Sequence, residues 1–252
     1  AQVLEAVLQL KPRHRRDLPA AVRDLSRTLT SQRGDLAPEY LQAPRALSAY
    51  LWYFLPWNLT RLCRLLPGLD LDLPDGSLVL DLGAGPLTLA QALWLSRPEL
   101  RQRALTFVCL DRSKRSMTLG LELLRGLAAR TARTGGGGDG RLAWRVRCVQ
   151  APLERGLREA GGRPRLVAAV NVLNELPWAR RSGLEERVAE LVAGLGRGLA
   201  DPAARLLLVE PGTRLGGRLV SLARKAALTC GLAPLAPCTH SGPCPWLEPN
   251  RH

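Results

Sequence analysis

Lysine is scarce in this chain of 252 residues, although lysine and arginine together number 36 against 22 aspartates and glutamates. Only Lys11, Lys114 and Lys225 are lysine, so arginine supplies almost all of the positive charge behind the net value of +14. The planar, forked guanidinium suits phosphate groups and base edges, which indicates nucleic acid, RNA in particular, as a partner. The alternative is a GC-rich genome that encodes arginine wherever a surface charge is needed.

Long apolar runs are missing as well, and none reaches the roughly 20 residues that a transmembrane helix requires. The first residues do not resemble a signal peptide. Six cysteines, at positions 63, 109, 148, 230, 238 and 244, lack the pattern of a secreted disulfide framework. Cys109 and Cys148 fall in apolar runs where buried free thiols are common. We therefore expect a cytoplasmic, reduced protein with no membrane contact.

The order of apolar patterns predicts helices first and then an alternation of strands and helices. Residues 1–75 have apolar residues at helical spacing, with an expected break near Pro56. This region is expected to cover one face of a sheet, or else to add Tyr53 and Trp57 to a ligand pocket. From Ser77 onward the two patterns alternate. The predicted strands are 77–83, 105–111, 143–150, 165–173 and 205–212, and the predicted helices are 86–98, 114–130, 182–199 and 215–229.

This alternation predicts an α/β fold: a doubly wound, mostly parallel, Rossmann-like sheet with an N-terminal helical extension. The expected domains are a helical region at 1–75, a core at 76–235 and a segment rich in cysteine and proline at 236–252. Ligands of such folds bind beyond the carboxyl ends of the strands. The conspicuous polar residues at those ends are Asp81, Asp111, Gln150, Asn174 and Glu210.

The turn after the first predicted strand discriminates between cofactors. The strand runs into the segment Gly83 to Gly85 and a helix follows at once, which brings free backbone amides close to a ligand. Position 88 is threonine, where the dinucleotide fingerprint needs glycine or alanine, and the chain contains no P-loop motif. Asp81, two residues before the first glycine, is typical of methyltransferases. We therefore predict S-adenosylmethionine as the cofactor.

Two further strand ends complete the predicted cofactor site. Asp111, 26 residues beyond Gly85, can accept both ribose hydroxyls of an adenosine, or it can cap the next helix. Gln150 can read the adenine edge or simply contact solvent. The predicted cofactor-binding residues are Asp81, Gly83, Ala84, Gly85, Asp111, Arg112, Gln150 and Asn171.

The segment NVLNELPW, residues 171–178, follows the fourth predicted strand, where the transferable methyl group would lie. Methyl transfer from a sulfonium is an in-line displacement that depends on alignment and exclusion of water. The Pro-Cys nucleophile of cytosine-C5 enzymes and the N-P-P-[YFW] motif of amino-group methylases are both absent here. The candidate catalytic residues are Asn174 and Glu175. Glu175 can act as a proton acceptor or merely cap the helix that follows.

Four segments together resemble a known family: LDLGAGPLTLAQALW, NVLNELPW, LLLVEPGTRLGGRLVSLAR and APCTHSGPCPW. They resemble bacterial members of the mitochondrial small-ribosomal-subunit methyltransferase-like family over residues 49–246. The resemblance implies a class I methyltransferase fold and a partnership with ribosomal RNA or the small ribosomal subunit, without DNA sequence specificity. It leaves open a methyltransferase acting on that RNA or a non-catalytic assembly factor. A small-molecule methyltransferase is the third alternative.

The last of these segments contains Cys238 and Cys244, the candidate metal ligands. The resemblance implies that such a pair contributes to a four-thiolate iron–sulfur site whose other ligands lie further along the chain. Cys230 or His240 could add a ligand, but structural metal sites usually need four. A methyltransferase sheet normally has a sixth strand and an antiparallel seventh, and residues 231–237 can supply only the sixth. We therefore expect the full-length protein, with a possible iron–sulfur cluster, to continue past residue 252.

Overall fold

Five parallel strands form the sheet in this computed structural model, which describes residues 2–30, 40–134, 140–176, 183–199 and 202–247. The strands are β1 (Leu78–Leu82), β2 (Thr106–Asp111), β3 (Arg145–Gln150), β4 (Leu166–Val170) and β5 (Arg205–Val209). Their order is β3-β2-β1-β4-β5, so the chain winds outward from β1 in one direction and then from β4 in the other. This topology confirms the predicted doubly wound α/β fold and places its switch point between β1 and β4.

Helices cover both faces of the sheet. They are α1 (Gln2–Val7), α2 (Pro12–Thr30), α3 (Pro44–Ala49), α4 (Leu55–Leu65), α5 (Thr88–Ser96), α6 (Lys114–Arg133), α7 (Gly156–Ala160), α8 (Leu184–Arg197) and α9 (Arg214–Thr229). Helices α4, α5 and α6 pack on one face, where Phe107 of β2 stacks on Trp144 at 4.8 Å between ring centroids. Helices α7, α8 and α9 pack on the other face. Strand β4 is buried along its whole length, as its uninterrupted apolar sequence predicts.

The predicted break near Pro56 is wrong. Residues Tyr50–Phe54 form a π-helical turn that joins α3 directly to α4, and the Leu55 N–H donates to the carbonyl of Tyr50. Pro56 then falls in the first turn of α4, directly after the π turn, and the helix continues through it without a break. The expectation that this region covers a sheet face is confirmed, because Leu62 and Leu66 belong to the core.

The predicted sixth strand at 231–237 is also wrong. The described residues after α9 form no strand, and their one regular element is the 3₁₀ turn Pro245–Leu247. Pro234 and Pro237 have no N–H to donate to a neighbouring strand, which explains why this apolar stretch does not pair. Instead, the Arg224 guanidinium on α9 donates to the carbonyl of Gly242 at 3.0 Å and holds the segment against that helix.

Across the described ranges, no helix has both the length and the apolar character needed to cross a membrane.

Candidate cofactor site

The glycine turn between β1 and α5 lies at the carboxyl edge of the sheet. Gly83 and Gly85 have positive φ angles of 66° and 51°, a region that glycine enters without strain. The N–H of Ala84 donates to the carbonyl of Leu110 at 2.8 Å and ties the turn to β2. A Cβ atom built on Gly85 would meet no other atom within 4 Å. The turn therefore faces open space that a ligand can enter.

Asp81 is the most unusual group at this edge. Its side chain is buried, with 1% exposed, and its Oδ2 atom has no hydrogen-bond partner among the described residues. Burial, with a smaller effect from the charge of Asp111, raises the pKa of Asp81 to about 8. Nearly all buried polar atoms in folded proteins have a partner, so an orphaned carboxyl oxygen points to a ligand that supplies one.

Asp111, at the end of β2, braces the glycine turn. Its Oδ2 accepts the N–H of Gly85 at 2.9 Å, and its Oδ1 accepts the N–H of Ser113 at 2.7 Å. Burial raises the pKa of this carboxyl, and the two N–H donors oppose that effect. The alternative role as a helix cap belongs to Ser113, whose hydroxyl accepts the N–H of Ser116 at the start of α6. Each Asp111 oxygen still has a lone pair for a further donor.

The predicted adenine end of the site is open. Gln150 pairs with Asp111 across the β2–β3 ladder, and its side chain is exposed. Its Nε2 donates to the carbonyl of Arg112 at 3.0 Å. Together with Lys114 and Arg115 at the start of α6, Gln150 lines a cavity of about 570 Å³. The structure therefore brings Arg112 and Gln150 together beside a basic opening.

The segment after β4 is held in place by a carboxylate that our sequence analysis left without a role. Asn171 has a positive φ of 56°, which ends β4 three residues earlier than predicted, and its N–H donates to the carbonyl of Val209 at 2.7 Å. Glu210 accepts the N–H of Leu173 at 2.7 Å and that of Asn174 at 3.3 Å. Glu210 thereby fixes the 3₁₀ turn Leu173–Glu175, in which Asn174 is buried. Pro177 and Trp178, the last two residues of the segment NVLNELPW, lie outside the described residues.

Glu175 meets a tyrosine from the N-terminal region. The hydroxyl of Tyr40 donates to Glu175 Oε1 at 3.2 Å. Nearby, the hydroxyl of Tyr50 accepts the side-chain amide of Asn58 at 3.4 Å. The alternative in which Glu175 caps the next helix is wrong, since α8 begins after Gly183.

Both tyrosines belong to the same electrostatic site as the predicted cofactor residues. Burial and then the charge of Glu175 raise the pKa of each hydroxyl, far above its ordinary value for Tyr40. The charge of Asp111 acts on both in the same direction. Sequence analysis missed these residues because Tyr40 and Glu175 are 135 positions apart. The sequence gives one indication of them, the rarity of tyrosine, of which the chain contains three.

The two predicted metal ligands lie away from this site, beyond α9. Cys238 is exposed, and the Sγ of Cys244 lies 3.8 Å from the hydroxyl of Ser221. Within the described ranges, no three histidine, cysteine, aspartate or glutamate side chains are grouped to hold a metal ion. Cys230 is exposed at the end of α9. The donor set found here does not fit a four-ligand site, so we assign no function to a metal.

The comparison with protein families gives one match. The family described as mitochondrial small ribosomal subunit Rsm22 matches residues 45–251, a span that contains the whole sheet and the glycine turn. Searches of curated proteins and of solved structures give no significant match. Because the family match covers far more than half of the sequence, this chain belongs to the Rsm22 family.

Proposed function

We propose that this protein is an S-adenosylmethionine-binding, methyltransferase-like protein of the small ribosomal subunit that acts on ribosomal RNA or is bound to it. The family description supports the association with the small subunit. The single observation that supports the cofactor is the buried Asp81 carboxyl, whose Oδ2 lacks a partner beside an open glycine turn.

The charges at the turn favour this cofactor over other nucleotides. Asp81 and Asp111 lie close enough for the charge of one to raise the pKa of the other. When ionised, the two carboxyl groups at the glycine turn repel the phosphates of a dinucleotide or a nucleoside triphosphate. S-adenosylmethionine instead carries an ammonium and a sulfonium, and the ammonium is the donor that Asp81 lacks. Asp111 can accept the ribose hydroxyls with its remaining lone pairs.

The residues around Glu175 can position the substrate group that accepts the methyl. When bound, the cofactor supplies an electrophilic methyl group for in-line displacement. The Glu210 carboxylate orients the turn that carries Asn174 and Glu175. Tyr40 donates to Oε1 of Glu175, and the Glu175 carboxylate is the group in this turn that can take a proton from an acceptor nitrogen or hydroxyl.

The second candidate is an assembly factor that keeps the fold without catalysis. The family description favours it, because it names the small ribosomal subunit and no reaction. Calorimetric titration with S-adenosylmethionine and its demethylated product tests the cofactor site, and we expect micromolar binding of both. Transfer of labelled methyl groups to small subunits then separates the two functions. A folded protein that binds neither compound contradicts the proposed cofactor.

Replacing Asp111 with alanine should weaken S-adenosylmethionine binding by about 1–3 kcal/mol, because charge-assisted hydrogen bonds to the ribose are lost. The measurement is the same titration, with a melting curve to show that the variant is folded. Glu154→Gln, at an exposed position outside the site, is the control. An affinity equal to that of the control would remove Asp111 from the cofactor site.

Replacing Tyr40 with phenylalanine should reduce methyl transfer about tenfold, the effect of a hydrogen bond worth about 1–2 kcal/mol to a charged group. Cofactor affinity should change less than twofold, since the ring remains. A double-mutant cycle with Glu175→Gln measures the coupling directly. If the effects of the two substitutions simply add, the hydrogen bond has no part in the reaction.

A further inference from the structure

Two exposed aromatic side chains and two arginines share one face of the helix formed by the π turn and α4. Tyr53 is 46% exposed and Trp57 is 54% exposed, and Arg61 and Arg64 are exposed one and two turns further on. Residues three or four apart are neighbours on a helix surface, so positions 53, 57, 61 and 64 form one stripe. We call these four residues the stacking face.

The stacking face has no part in the hydrophobic core. Leu55 and Leu62 on the opposite side of α4 are 3% and 2% exposed and already anchor the helix to the protein. Aromatic residues make up only 4% of the chain, and two of them lie here in solvent. A single exposed aromatic residue is unremarkable, but two rings in line with two guanidinium groups form a patterned surface.

The charge of the stacking face is uncompensated. The sequence has no aspartate or glutamate between positions 40 and 69. None of the ion pairs found among the described residues involves Arg61 or Arg64. Both guanidinium groups are therefore available to phosphates, whose geometry they match.

The stacking face adjoins the wall of the candidate cofactor site. The Phe54 ring meets the Tyr53 ring edge to face at 5.2 Å and stacks on the Tyr50 ring at 5.9 Å, between centroids. Asn58, one residue after Trp57, donates to the Tyr50 hydroxyl. A strand bound along the face would therefore pass close to the site that contains Tyr50 and Glu175.

We propose that the stacking face binds single-stranded RNA, with unpaired bases on Tyr53 and Trp57 and phosphates on Arg61 and Arg64. Exposed rings bind the faces of bases that are free of pairing, whereas the bases of a duplex are already stacked on one another. The choice of RNA rather than DNA rests on the proposed function. Binding at the face requires no cofactor.

Fluorescence anisotropy of a labelled, unstructured ten-nucleotide RNA tests the aromatic residues. Trp57→Ala should weaken binding about 5- to 150-fold, the range for loss of one stacked base, while Trp57→Phe should retain most of the affinity. Trp246→Ala is the matched control, because Trp246 is 87% exposed and lies beyond α9. A duplex of the same sequence should compete poorly.

The arginines are tested through salt dependence. Replacing Arg61 and Arg64 together with glutamine should reduce the slope of log K against log salt by about 1.4, which corresponds to two phosphate contacts on a single strand. Arg158 and Arg218, exposed on α7 and α9 across the sheet, provide the control pair and should leave the slope unchanged.

Three results would overturn the proposal: equal affinities for Trp57→Ala and Trp246→Ala, equal competition by the duplex, or an unchanged slope for the Arg61 and Arg64 variant. If the Trp57→Ala variant no longer binds small subunits but binds RNA with wild-type affinity, the stacking face binds a protein partner instead. The cofactor titration is a separate measurement. If the wild type binds RNA through Trp57 but fails to bind S-adenosylmethionine, the proposed function fails and the stacking face stands.

Discussion

Asp81→Asn is expected to stabilise the cofactor-free protein at pH 8 while it weakens S-adenosylmethionine binding. Burial holds the pKa of Asp81 at about 8 in the folded protein, against an ordinary value of 3.8. A raised folded-state pKa gives stability that is complete below about pH 4 and is lost as the pH rises toward 8. This one group can lower the free energy of unfolding by up to about 1.4 kcal/mol per pH unit in that window.

Urea denaturation at pH 5, 6.5 and 8 measures this effect as the difference between variant and wild type. Asparagine cannot ionise, so the advantage of Asp81→Asn should grow with each step in pH. Glu154→Gln provides the control, as an exposed carboxylate outside the site. If the difference in the free energy of unfolding between Asp81→Asn and the wild type is the same at all three pH values, the raised pKa of Asp81 is contradicted.

The same substitution should reduce cofactor affinity by about 2–5 kcal/mol, because a cationic ligand group is left without its buried partner. Binding at pH 7 should also release up to one proton from the wild type, since a bound ammonium favours the ionised form of Asp81. Calorimetry in two buffers of different ionisation enthalpy measures that proton. Proton release that persists in Asp81→Asn would assign it to another group.

Gly83→Ala should destabilise the protein by about 2–4 kcal/mol, the second large effect. The added methyl group would overlap the side chain of Val172, and the φ of 66° is unfavourable for alanine. Val172→Ala in the same chain should restore only part of this loss, about 1–2 kcal/mol, because it removes both Cγ atoms of residue 172 but leaves its Cβ atom 2.7 Å from the added methyl group. Chemical denaturation of the two single variants and the double variant measures this coupling.

Gly85→Ala is the matched comparison for Gly83→Ala. Its φ of 51° gives a similar backbone strain, but its methyl group meets no atom within 4 Å. We expect a loss of stability of only about 1–2 kcal/mol, together with weaker cofactor binding, because the methyl group occupies the space in front of the turn. Equal destabilisation by the two substitutions would show that Val172 does not restrict Gly83.

Strands β1, β2 and β4 were predictable because parallel strands buried on both faces read as apolar runs, whereas the edge strand β3 was predictable from its alternation of polar and apolar residues. The glycine turn was predictable because its residues are adjacent in sequence. Two errors concern proline: Pro56 sits inside a continuous helix after a π turn, and Pro234 and Pro237 prevent a strand at 231–237. At 231–237 the apolar pattern suggests a strand because it does not register the missing N–H groups, whereas at Pro56 the proline itself suggests a break that the π turn avoids.

The site was only partly predictable. Asp81 and Asp111 could be chosen from their spacing around the turn, since strand ends meet at one edge of the sheet. The orphaned oxygen of Asp81 and the bracing of Asn174 by Glu210 depend on three-dimensional packing and leave no local pattern. Tyr40 could not be predicted from the sequence either, because its hydrogen-bond partner Glu175 is 135 positions away in the chain.

The hydrogen bond between Tyr40 and Glu175 makes the helical extension one wall of the candidate cofactor site, with the sheet edge and the segment after β4 as the other. A protein shortened to begin at β1 would keep the glycine turn and lose that wall, so the core alone is a poor starting point for crystallisation with ligands. A ligand in contact with both walls would also resist their separation, by about 1.4 kcal/mol for each tenfold increase in its concentration above Kd. Protection of α1 to α4 from protease would then serve as a gauge of ligand occupancy.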